Sequence, residues 1–336
     1  MKDQRPIIGI TLGDPVGVGP EIIHMTLGDP AIYDMCKPCV FGDRTRLEAA
    51  RHSTGSRLVV KPVKGPEAGM YKHGRVDLIE LSGLDPKQII WGRPTVETGN
   101  AMVKYITAAV AMAKAGRIAA IVTCPINKSA MHSAGFRYSG HTELLAEKTG
   151  TDRFVMMLAG KKLRVVLVTA HTPLRDVPSM LSVEKIYDTI RITAHALQDR
   201  FGIEAPRIAV AGLNPHAGEQ GLFGDEEDKI ISPAVQQARK ERIDVHGPLP
   251  PDTLFTHAKQ GQYDVVVCMY HDQGLIPFKM IHFTDGVNTT LGLPIIRTSV
   301  DHGTAYDIAG TGKADPGSLV AAIQMAAEQA VYKKNP

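Results

Sequence analysis

The sequence predicts an α/β protein in three layers, with helices on both faces of a central sheet. Short runs rich in Val and Ile alternate along the chain with longer helical patterns, which is typical of strands that are connected by helices. These runs are apolar on both faces, as expected of strands that helices cover on each side. The chain has 336 residues, 43% of them hydrophobic, and this length is enough for roughly two domains of about 150 residues.

The individual elements follow from the same periodicities. The predicted strands are Pro6–Leu12, Ala119–Thr123, Leu163–Val168, Ile208–Leu213 and Val265–Met269. The predicted helices are an alanine-rich one over Thr95–Ala115, an amphipathic one over Val183–Arg200, and a last one that Ser318 caps and that ends near Tyr332. No repeat or low-complexity linker marks a boundary, so residues 1–336 are predicted to form one chain of two α/β lobes, with the boundary between the lobes left open.

Charge and hydropathy exclude two classes of partner. Lys and Arg total 38 against 35 for Asp and Glu, a net charge of +3, and no basic block could follow a phosphate backbone. Nucleic acid is therefore not an expected partner. The N-terminal sequence lacks the pattern of a signal peptide, and no apolar stretch approaches the ~18 residues that span a bilayer. We therefore expect a cytoplasmic protein with no membrane partner.

The four cysteines favour free thiols in a reducing compartment over a disulfide framework. Cys36 and Cys39 have the C-x-x-C spacing of redox and zinc motifs. A redox pair follows a strand and begins a helix, whereas this pair comes immediately before a strand-like run, and no second pair completes a zinc site. The pattern therefore favours a structural role for both thiols.

Three histidines share one local context, in which an apolar strand is followed by a short turn and then His: His171, His216 and His271. Ligands of open α/β sheets bind beyond the carboxyl ends of the strands, so these imidazoles could converge on one site. Three neutral imidazoles suit Zn²⁺, Co²⁺ or a similar divalent ion, although each could instead hydrogen-bond its own loop. Most of the other histidines considered are predicted to lie at the surface: His24, His52, His73, His132, His195, His246, His257 and His282.

A second group of residues is suited to an anion. His141 and Thr142 follow a loop and begin a predicted helix, where backbone N–H groups and the helix dipole favour negative charge. Lys279 follows His271 by eight residues, and Arg297 ends an apolar run. Together these side chains could hold a phosphate, although Lys279 and Arg297 could equally be solvated surface charges.

The common nucleotide-binding motifs are absent. The glycines between Gly13 and Ile22 do not have the spacing G-x-G-x-x-G, and the segment Gly310–Ala314 lacks the upstream Gly and the Ser/Thr of a P-loop. A standard Rossmann domain and a P-loop kinase are both disfavoured.

Five motifs, spread over essentially the whole chain, resemble those of the 4-hydroxythreonine-4-phosphate dehydrogenase family. Their order and spacing are much more specific than a single glycine-rich loop. The motifs are Gly13–Glu21 (GDPVGVGPE), Ser139–Glu143 (SGHTE), Asn214–Glu219 (NPHAGE), Met269–Gly274 (MYHDQG) and Arg297–Ala305 (RTSVDHGTA).

The resemblance implies a homodimeric, NAD-dependent enzyme of pyridoxal phosphate biosynthesis, with a fold like that of isocitrate and isopropylmalate dehydrogenases and an active site in the cleft between two lobes. It implies one divalent ion per site, Zn²⁺, Mg²⁺ or Co²⁺, on His171, His216 and His271, with His271 contributed by the partner subunit. The substrate ligands that it implies are His141, Thr142, Lys279, Asn288 and Arg297.

The segment His302–Gly312 resembles the adenosine-binding loop of the isocitrate and isopropylmalate dehydrogenases. The resemblance implies that His302, Gly303, Asp307 and Ile308 contact the cofactor. An Asp at position 307 can accept hydrogen bonds from a ribose 2′-hydroxyl but would repel a 2′-phosphate, so we expect NAD and not NADP. Tyr306 departs from the pattern, because the relatives have proline there.

The implied reaction is oxidation of 4-phosphooxy-L-threonine to 2-amino-3-oxo-4-phosphooxybutanoate, which decarboxylates to 3-amino-2-oxopropyl phosphate. Asp252 and Asp272 are candidates for the general base, and each could equally orient a histidine. The close alternative is a dehydrogenase of 4-phospho-D-threonate or erythronate in the same family. A remote alternative is a non-catalytic metal- and phosphate-binding protein or a phosphate acyltransferase.

Overall fold

The computed structural model describes residues 3–334, and these form two compact units. Unit 1 contains the chain up to Asp152 and the segment Leu293–Val331, whereas unit 2 contains Arg153–Gly292 and the chain from Tyr332 onward. The chain thus passes from unit 1 to unit 2 and back, and its last described residues, from Tyr332, belong to unit 2. No helix within the described residues is both long and apolar enough to cross a membrane.

Unit 1 has six strands, all of them parallel to their neighbours, in the order β3-β4-β2-β1-β5-β12. The strands are β1 (Ile7–Thr11), β2 (Lys37–Asp43), β3 (Val59–Pro62), β4 (Arg75–Ser82), β5 (Ala120–Thr123) and β12 (Ile296–Val300). Every residue of β5 and β12 is buried. Since successive side chains of a strand point to opposite faces, both faces of these strands are covered.

Seven helices belong mainly to unit 1. They are α1 (Gly19–Leu27), α2 (Pro30–Met35), α3 (Arg44–Thr54), α4 (Val96–Lys114), α5 (Lys128–Ser133), α6 (His141–Thr149) and α12 (Gly317–Lys334). The alanine-rich helix was predicted over Thr95–Ala115, and α4 confirms it. Its start is a capping box in which Thr95 and Thr98 each accept a hydrogen bond from the other's backbone N–H.

Unit 2 also has six strands, in the order β11-β6-β7-β10-β8-β9. The strands are β6 (Val155–Ala159), β7 (Arg164–Leu167), β8 (Ile208–Ala211), β9 (Val245–Leu249), β10 (Val265–Cys268) and β11 (Val287–Leu291). β7, β10, β8 and β9 are parallel, whereas β6 is antiparallel to both of its neighbours. The parallel arrangement brings the carboxyl ends of β7, β10 and β8 to one edge of the sheet, as the histidine pattern requires.

Five helices lie in unit 2: α7 (Val177–Met180), α8 (Val183–Phe201), α9 (Ser232–Lys240), α10 (Pro251–Lys259) and α11 (His271–Ile281). The predicted amphipathic helix is α8, which starts where the side chain of Ser182 accepts a hydrogen bond from the N–H of Lys185. It ends at Gly202, whose φ of 65° is a left-handed conformation that glycine adopts without strain.

The predicted helix cap is wrong, and two of the eight histidines depart from the surface position that most of them have, because tertiary contacts override the local pattern. Ser318 does not cap the last helix, since α12 already begins at Gly317 and the Ser318 hydroxyl accepts a hydrogen bond from the N–H of Asp301. His24 and His282 are buried instead of exposed, each with a hydrogen-bond partner at Nδ1.

The other histidines predicted at the surface are exposed: His52, His73, His132, His195, His246 and His257. All four cysteines are buried and free. Burial raises the pKa of the Cys36 and Cys39 thiols to about 12, so neither has the thiolate character that redox chemistry requires.

Candidate active site

The three strand-end histidines all lie in unit 2, and the structure brings two of them together. His171 follows β7, and His271 is the first residue of α11, directly after β10. Their ring centroids are 5.9 Å apart. His216 follows β8, the neighbour of β10 on the other side, but its ring neighbour is Phe223, at 6.1 Å.

The chemistry of these residues fits a divalent ion. Asp272 Oδ1 lies 2.7 Å from Nδ1 of His271, and a carboxylate in this position holds the ring and leaves Nε2 for a ligand. Asp272 therefore has the contact of a residue that orients a histidine, the second of the two roles predicted for it. Among residues 3–334, no three His, Cys, Asp or Glu side chains are grouped closely enough to hold a metal ion. Of the three strand-end histidines, His216 is the one whose ring does not lie beside another histidine ring in the single chain.

Hydrogen bonds connect the strand ends that carry the histidines. The Thr169 hydroxyl, two residues before His171, donates to the carbonyl of Met269 at 2.7 Å. The side chain of Gln273, which is buried, accepts from the N–H of Met269 and donates to the carbonyl of Gly212, both at 2.7 Å. These contacts fix the spacing of the ends of β7, β10 and β8. Gln273 lies in the motif Met269–Gly274 and Thr169 lies in none of the five motifs, and the sequence indicates this role for neither residue.

His216 lies in a strained loop, residues 212–224, which we term the His216 loop. Four residues with side chains have left-handed backbone conformations there: His216, Ala217, Glu219 and Gln220. Such conformations cost on the order of 1 kcal/mol or more each and are retained where neighbouring groups enforce them. The neighbouring group here is Glu227, whose Oε1 accepts hydrogen bonds from two backbone N–H groups at the start of the loop.

The candidate residues for anion binding are divided between the two units. Arg297 lies in β12 of unit 1 and is only 2% exposed, so the surface alternative is wrong for it. Its guanidinium donates to the Thr123 hydroxyl at 2.8 Å, and burial lowers its pKa, although the group remains charged at neutral pH. In unit 2, Lys279 on α11 and Asn288 on β11 are both partly buried.

His141 and Thr142 are the first two residues of α6, as the sequence predicted. The loop before them is closed by Glu143, whose carboxylate accepts from the N–H of Ser139 at 2.7 Å. His141 Nε2 is buried with no hydrogen-bond partner among the described residues. Burial, with the positive charge of Arg297, holds the pKa of His141 well below its ordinary value. A neutral imidazole with an unused nitrogen beside a buried cation fits an anionic ligand.

The segment His302–Gly312, which we term the C-terminal loop, is anchored to the N-terminal motif of unit 1. Glu21 is fully buried, and its carboxylate accepts from the N–H groups of Gly310 and Gly312 at 2.8 and 2.7 Å. The Tyr306 hydroxyl donates to the Asp14 carboxylate. The tyrosine that departs from the resemblance is thus a structural anchor of this loop.

The four predicted cofactor residues remain accessible on the C-terminal loop. His302, Gly303 and Asp307 are exposed, and Ile308 is partly buried. No heavy atom lies within 4 Å of the position that a Cβ at Gly303 would occupy. The loop therefore has open space and an exposed carboxylate at the positions that would face a ribose. Asp252, the other candidate base, is exposed in the first turn of α10.

Comparisons with known proteins agree with this architecture. A relative from Desulforapulum autotrophicum, called 4-hydroxythreonine-4-phosphate dehydrogenase, is 59% identical over 330 residues, which are 98% of this chain and 97% of the relative. A relative from Cupriavidus necator, called D-threonate 4-phosphate dehydrogenase, is 48% identical over 99% of this chain and 100% of its own length. The crystal structure of 4-hydroxythreonine-4-phosphate dehydrogenase from Klebsiella pneumoniae is 42% identical, with a TM-score of 0.90, and covers 98% of this chain and 99% of that one.

The fold and the similar proteins define an α/β protein of the isocitrate and isopropylmalate dehydrogenase type, which confirms the predicted fold class. The family model described as pyridoxal phosphate biosynthetic protein PdxA matches residues 34–326. The chain belongs to this family, and the resemblance that the sequence motifs indicated is confirmed.

Proposed function

We propose that this protein is a cytoplasmic dehydrogenase that uses NAD and a divalent metal ion, Zn²⁺, Mg²⁺ or Co²⁺, to oxidise 4-phosphooxy-L-threonine in pyridoxal 5′-phosphate biosynthesis. The product, 2-amino-3-oxo-4-phosphooxybutanoate, is a β-keto acid that loses CO₂ to give 3-amino-2-oxopropyl phosphate. The observation that carries the proposal is the 59% identity to a 4-hydroxythreonine-4-phosphate dehydrogenase over almost the whole chain. Four buried free thiols fit a reducing compartment.

Histidines at the ends of β7, β8 and β10 are the residues that would hold the metal. A bound divalent ion would lower the pKa of the substrate hydroxyl and polarise the carbonyl that forms as hydride passes to the nicotinamide. Asp272 keeps the His271 ring in one orientation through its contact with Nδ1. This contact supports orientation of a ligand as the role of Asp272, and we propose exposed Asp252 as the candidate that accepts the hydroxyl proton.

The phosphate and carboxylate of the substrate require cationic and neutral donors, and the chain supplies both. Arg297 provides a buried guanidinium, and His141 provides an imidazole whose Nε2 has no hydrogen-bond partner among the described residues. Charge-assisted hydrogen bonds from buried donors are roughly twice as strong as neutral ones. Thr142, Lys279 and Asn288 complete the proposed set of substrate ligands.

A second substrate is favoured by one observation, the 48% identity to a D-threonate 4-phosphate dehydrogenase along the full length. The decisive experiment assays 4-phosphooxy-L-threonine beside 4-phospho-D-threonate and 4-phospho-D-erythronate, with NAD and each metal, by NADH absorbance. We expect the highest kcat/KM with 4-phosphooxy-L-threonine. A higher value with a sugar acid would reassign the substrate, and no NADH with any of them would favour a binding protein or an acyltransferase.

The proposal includes a homodimer, and α11 offers a surface for it. Ile276 and Met280 on this helix and Phe283 just beyond it are 59, 83 and 80% exposed. Ile276 and Met280 are four residues apart within the helix and therefore lie on one face of it. Exposed apolar patches of this kind mark interaction sites. A second copy of the chain that covered this face would lie close to His271, the first residue of the same helix.

Mixed dimers test whether His271 serves the partner's site. Homodimers of His171→Ala and of His271→Ala should both be inactive, because every site lacks one ligand. In a mixed dimer with shared sites, one site has both defects and the other has none, so random exchange of an equal mixture should restore about a quarter of wild-type activity. No recovery, with exchange verified by a tag on one variant, would mean that His171 and His271 of each site come from the same chain.

A further inference from the structure

The His216 loop has a backbone conformation that its own residue types disfavour. His216 and Ala217 both have φ near 53°, and neither is a glycine. The loop also approaches the strand end closely, since a Cβ added at Gly212 would lie 2.8 Å from the Cα of Ala217. Backbone hydrogen bonds inside the loop, such as that from the Ala217 N–H to the Asn214 carbonyl, hold part of this conformation, and a side chain outside the loop holds its first residues in place.

Glu227 makes the contacts that do this. Its carboxylate is 3% exposed, and Oε1 accepts from the N–H groups of Leu213 and Asn214, both at 2.7 Å. Oε2 accepts from the amide nitrogen of Asn214 at 2.9 Å. One carboxylate thus fixes both the backbone and the side chain at the entrance to the loop.

The loop is in turn shaped around this carboxylate. A Cβ at Gly218 would lie 2.7 Å from Oε2 of Glu227, so only glycine leaves room for the carboxylate at that point. Glu227 is also the first residue of a π-helical turn, Glu227–Ile231, which leads into α9. π-helical turns are rare and are found frequently at functional sites.

We propose that Glu227 is a positioning residue for the metal site, which holds His216 where it can bind the ion without touching the ion itself. The inference rests on the proposed function, because it takes His216 as a metal ligand. It adds a residue that none of the sequence motifs contains. The neighbouring Glu226 provides a matched control, since its carboxylate contacts only the side-chain amide of Asn214, at 2.7 Å, and no backbone N–H.

The first measurement is Zn²⁺ affinity of the full-length enzyme, stripped of metal and titrated against a chromophoric chelator. We expect Glu227→Gln to weaken Zn²⁺ binding by about 10- to 100-fold, the usual effect of losing a residue that orients a ligand. Glu226→Gln removes the same charge from the same region, and we expect a change below about threefold. Equal losses in the two variants would mean that charge alone matters and would overturn the proposal.

The second measurement is amide hydrogen exchange in the metal-free enzyme, followed by mass spectrometry. Glu227→Gln should accelerate exchange at Leu213 and Asn214 by about tenfold, because both N–H groups share Oε1 and the neutral amide oxygen of glutamine is a weaker acceptor than a carboxylate oxygen. Exchange in β8 (Ile208–Ala211) should be unchanged. Acceleration throughout β8 would indicate a general loss of stability and would overturn the positioning role.

Two further variants keep the test decisive. Glycine adopts left-handed conformations without strain, so adding Ala217→Gly to Glu227→Gln should restore part of the Zn²⁺ affinity. If Glu227→Gln does not fold, Asn214→Ala removes the side-chain amide that contacts both Glu227 and Glu226. It should weaken Zn²⁺ binding several-fold more than Glu226→Gln does, whereas equal effects would overturn the proposal. A wild type that binds no Zn²⁺ would instead contradict the proposed metal dependence, and the exchange measurement would still test the contact.

Discussion

The His216 loop of unit 2 and the C-terminal loop of unit 1 are held by the same device, a buried glutamate that accepts two backbone N–H groups. Glu227 does this at the start of the His216 loop, and Glu21 does it near the end of the C-terminal loop. Both glutamates lie outside the loop that they hold.

The two loops differ in which residues take the left-handed conformations. In the C-terminal loop these positions are Ala305, Gly310 and Gly312, so two of the three are glycines. In the His216 loop, side-chain-bearing residues take four such positions. Glycine adopts these conformations without strain, whereas residues with side chains adopt them at a cost, so more strain is stored in the His216 loop. The His216 loop should therefore depend more strongly on its glutamate.

The largest expected effect comes from removing the imidazole of His216, the side chain that the strained loop presents. His216→Ala should abolish metal binding and reduce turnover by at least about 100-fold, because Lewis-acid stabilisation contributes several kcal/mol. The control is His257→Ala, an exposed histidine of α10 in the same unit. Metal content and NADH formation are the measurements. Full activity after exhaustive chelation would refute the metal assignment.

Acidification should release the metal reversibly. Imidazole binds metal only when neutral, and its ordinary pKa is about 6.5, so occupancy should fall as the pH drops through that region. Dialysis at a series of pH values followed by metal analysis measures this. NAD affinity, which the C-terminal loop would provide, should stay constant over the same range, and a parallel loss of both would mean that the units unfold together.

Next in size are the two cations proposed for the substrate. Arg297→Ala and Lys279→Ala should each lower kcat/KM for the phosphorylated substrate by about 30-fold, which corresponds to about 2 kcal/mol for a lost charge-assisted contact. Arg297 belongs to the unit of the C-terminal loop and Lys279 to that of the His216 loop. KM for NAD should change little in either variant. Wild-type kinetics in Lys279→Ala would mean that Lys279 is a solvated surface charge and not a substrate ligand.

A smaller effect is expected when the glutamate of the C-terminal loop is changed. Glu21→Gln should raise KM for NAD by about tenfold and leave Zn²⁺ affinity intact, since each weakened hydrogen bond contributes about 1 kcal/mol. Glu48→Gln, a partly exposed glutamate of α3 in the same unit, is the control. If KM for NAD rose by a larger factor in Glu21→Gln than Zn²⁺ affinity falls in Glu227→Gln, the C-terminal loop would depend more strongly on its glutamate than the His216 loop does.

The smallest expected effect concerns cofactor choice. Asp307→Ala should shift the ratio of kcat/KM for NAD over NADP toward NADP by about tenfold, because it removes the charge that would repel a 2′-phosphate. Steady-state kinetics with both cofactors provide the ratio. An unchanged ratio would mean that Asp307 does not face the ribose.

The strand-end histidines could be predicted because their signal is local: an apolar run, a turn and then His. The structure bears out the strands before His171, His216 and His271, and it makes β7, β10 and β8 neighbours. Glu227 could not be predicted in this way, because it stands in a charged run, Asp225–Asp228, that resembles any solvated surface. Its role depends on contacts with residues more than ten positions away.

The sequence by itself determined the alternation of strands and helices, the family and the candidate ligands, since periodicity and motif spacing are properties of neighbouring residues. Only the tertiary structure decided which of those residues are buried and what holds them. The sequence left Arg297 either a phosphate ligand or a solvated surface charge, and β12 places it beside β5 at 2% exposure, which excludes the surface. Burial is a sum over every element that surrounds a residue, and no local pattern in the chain encodes that sum.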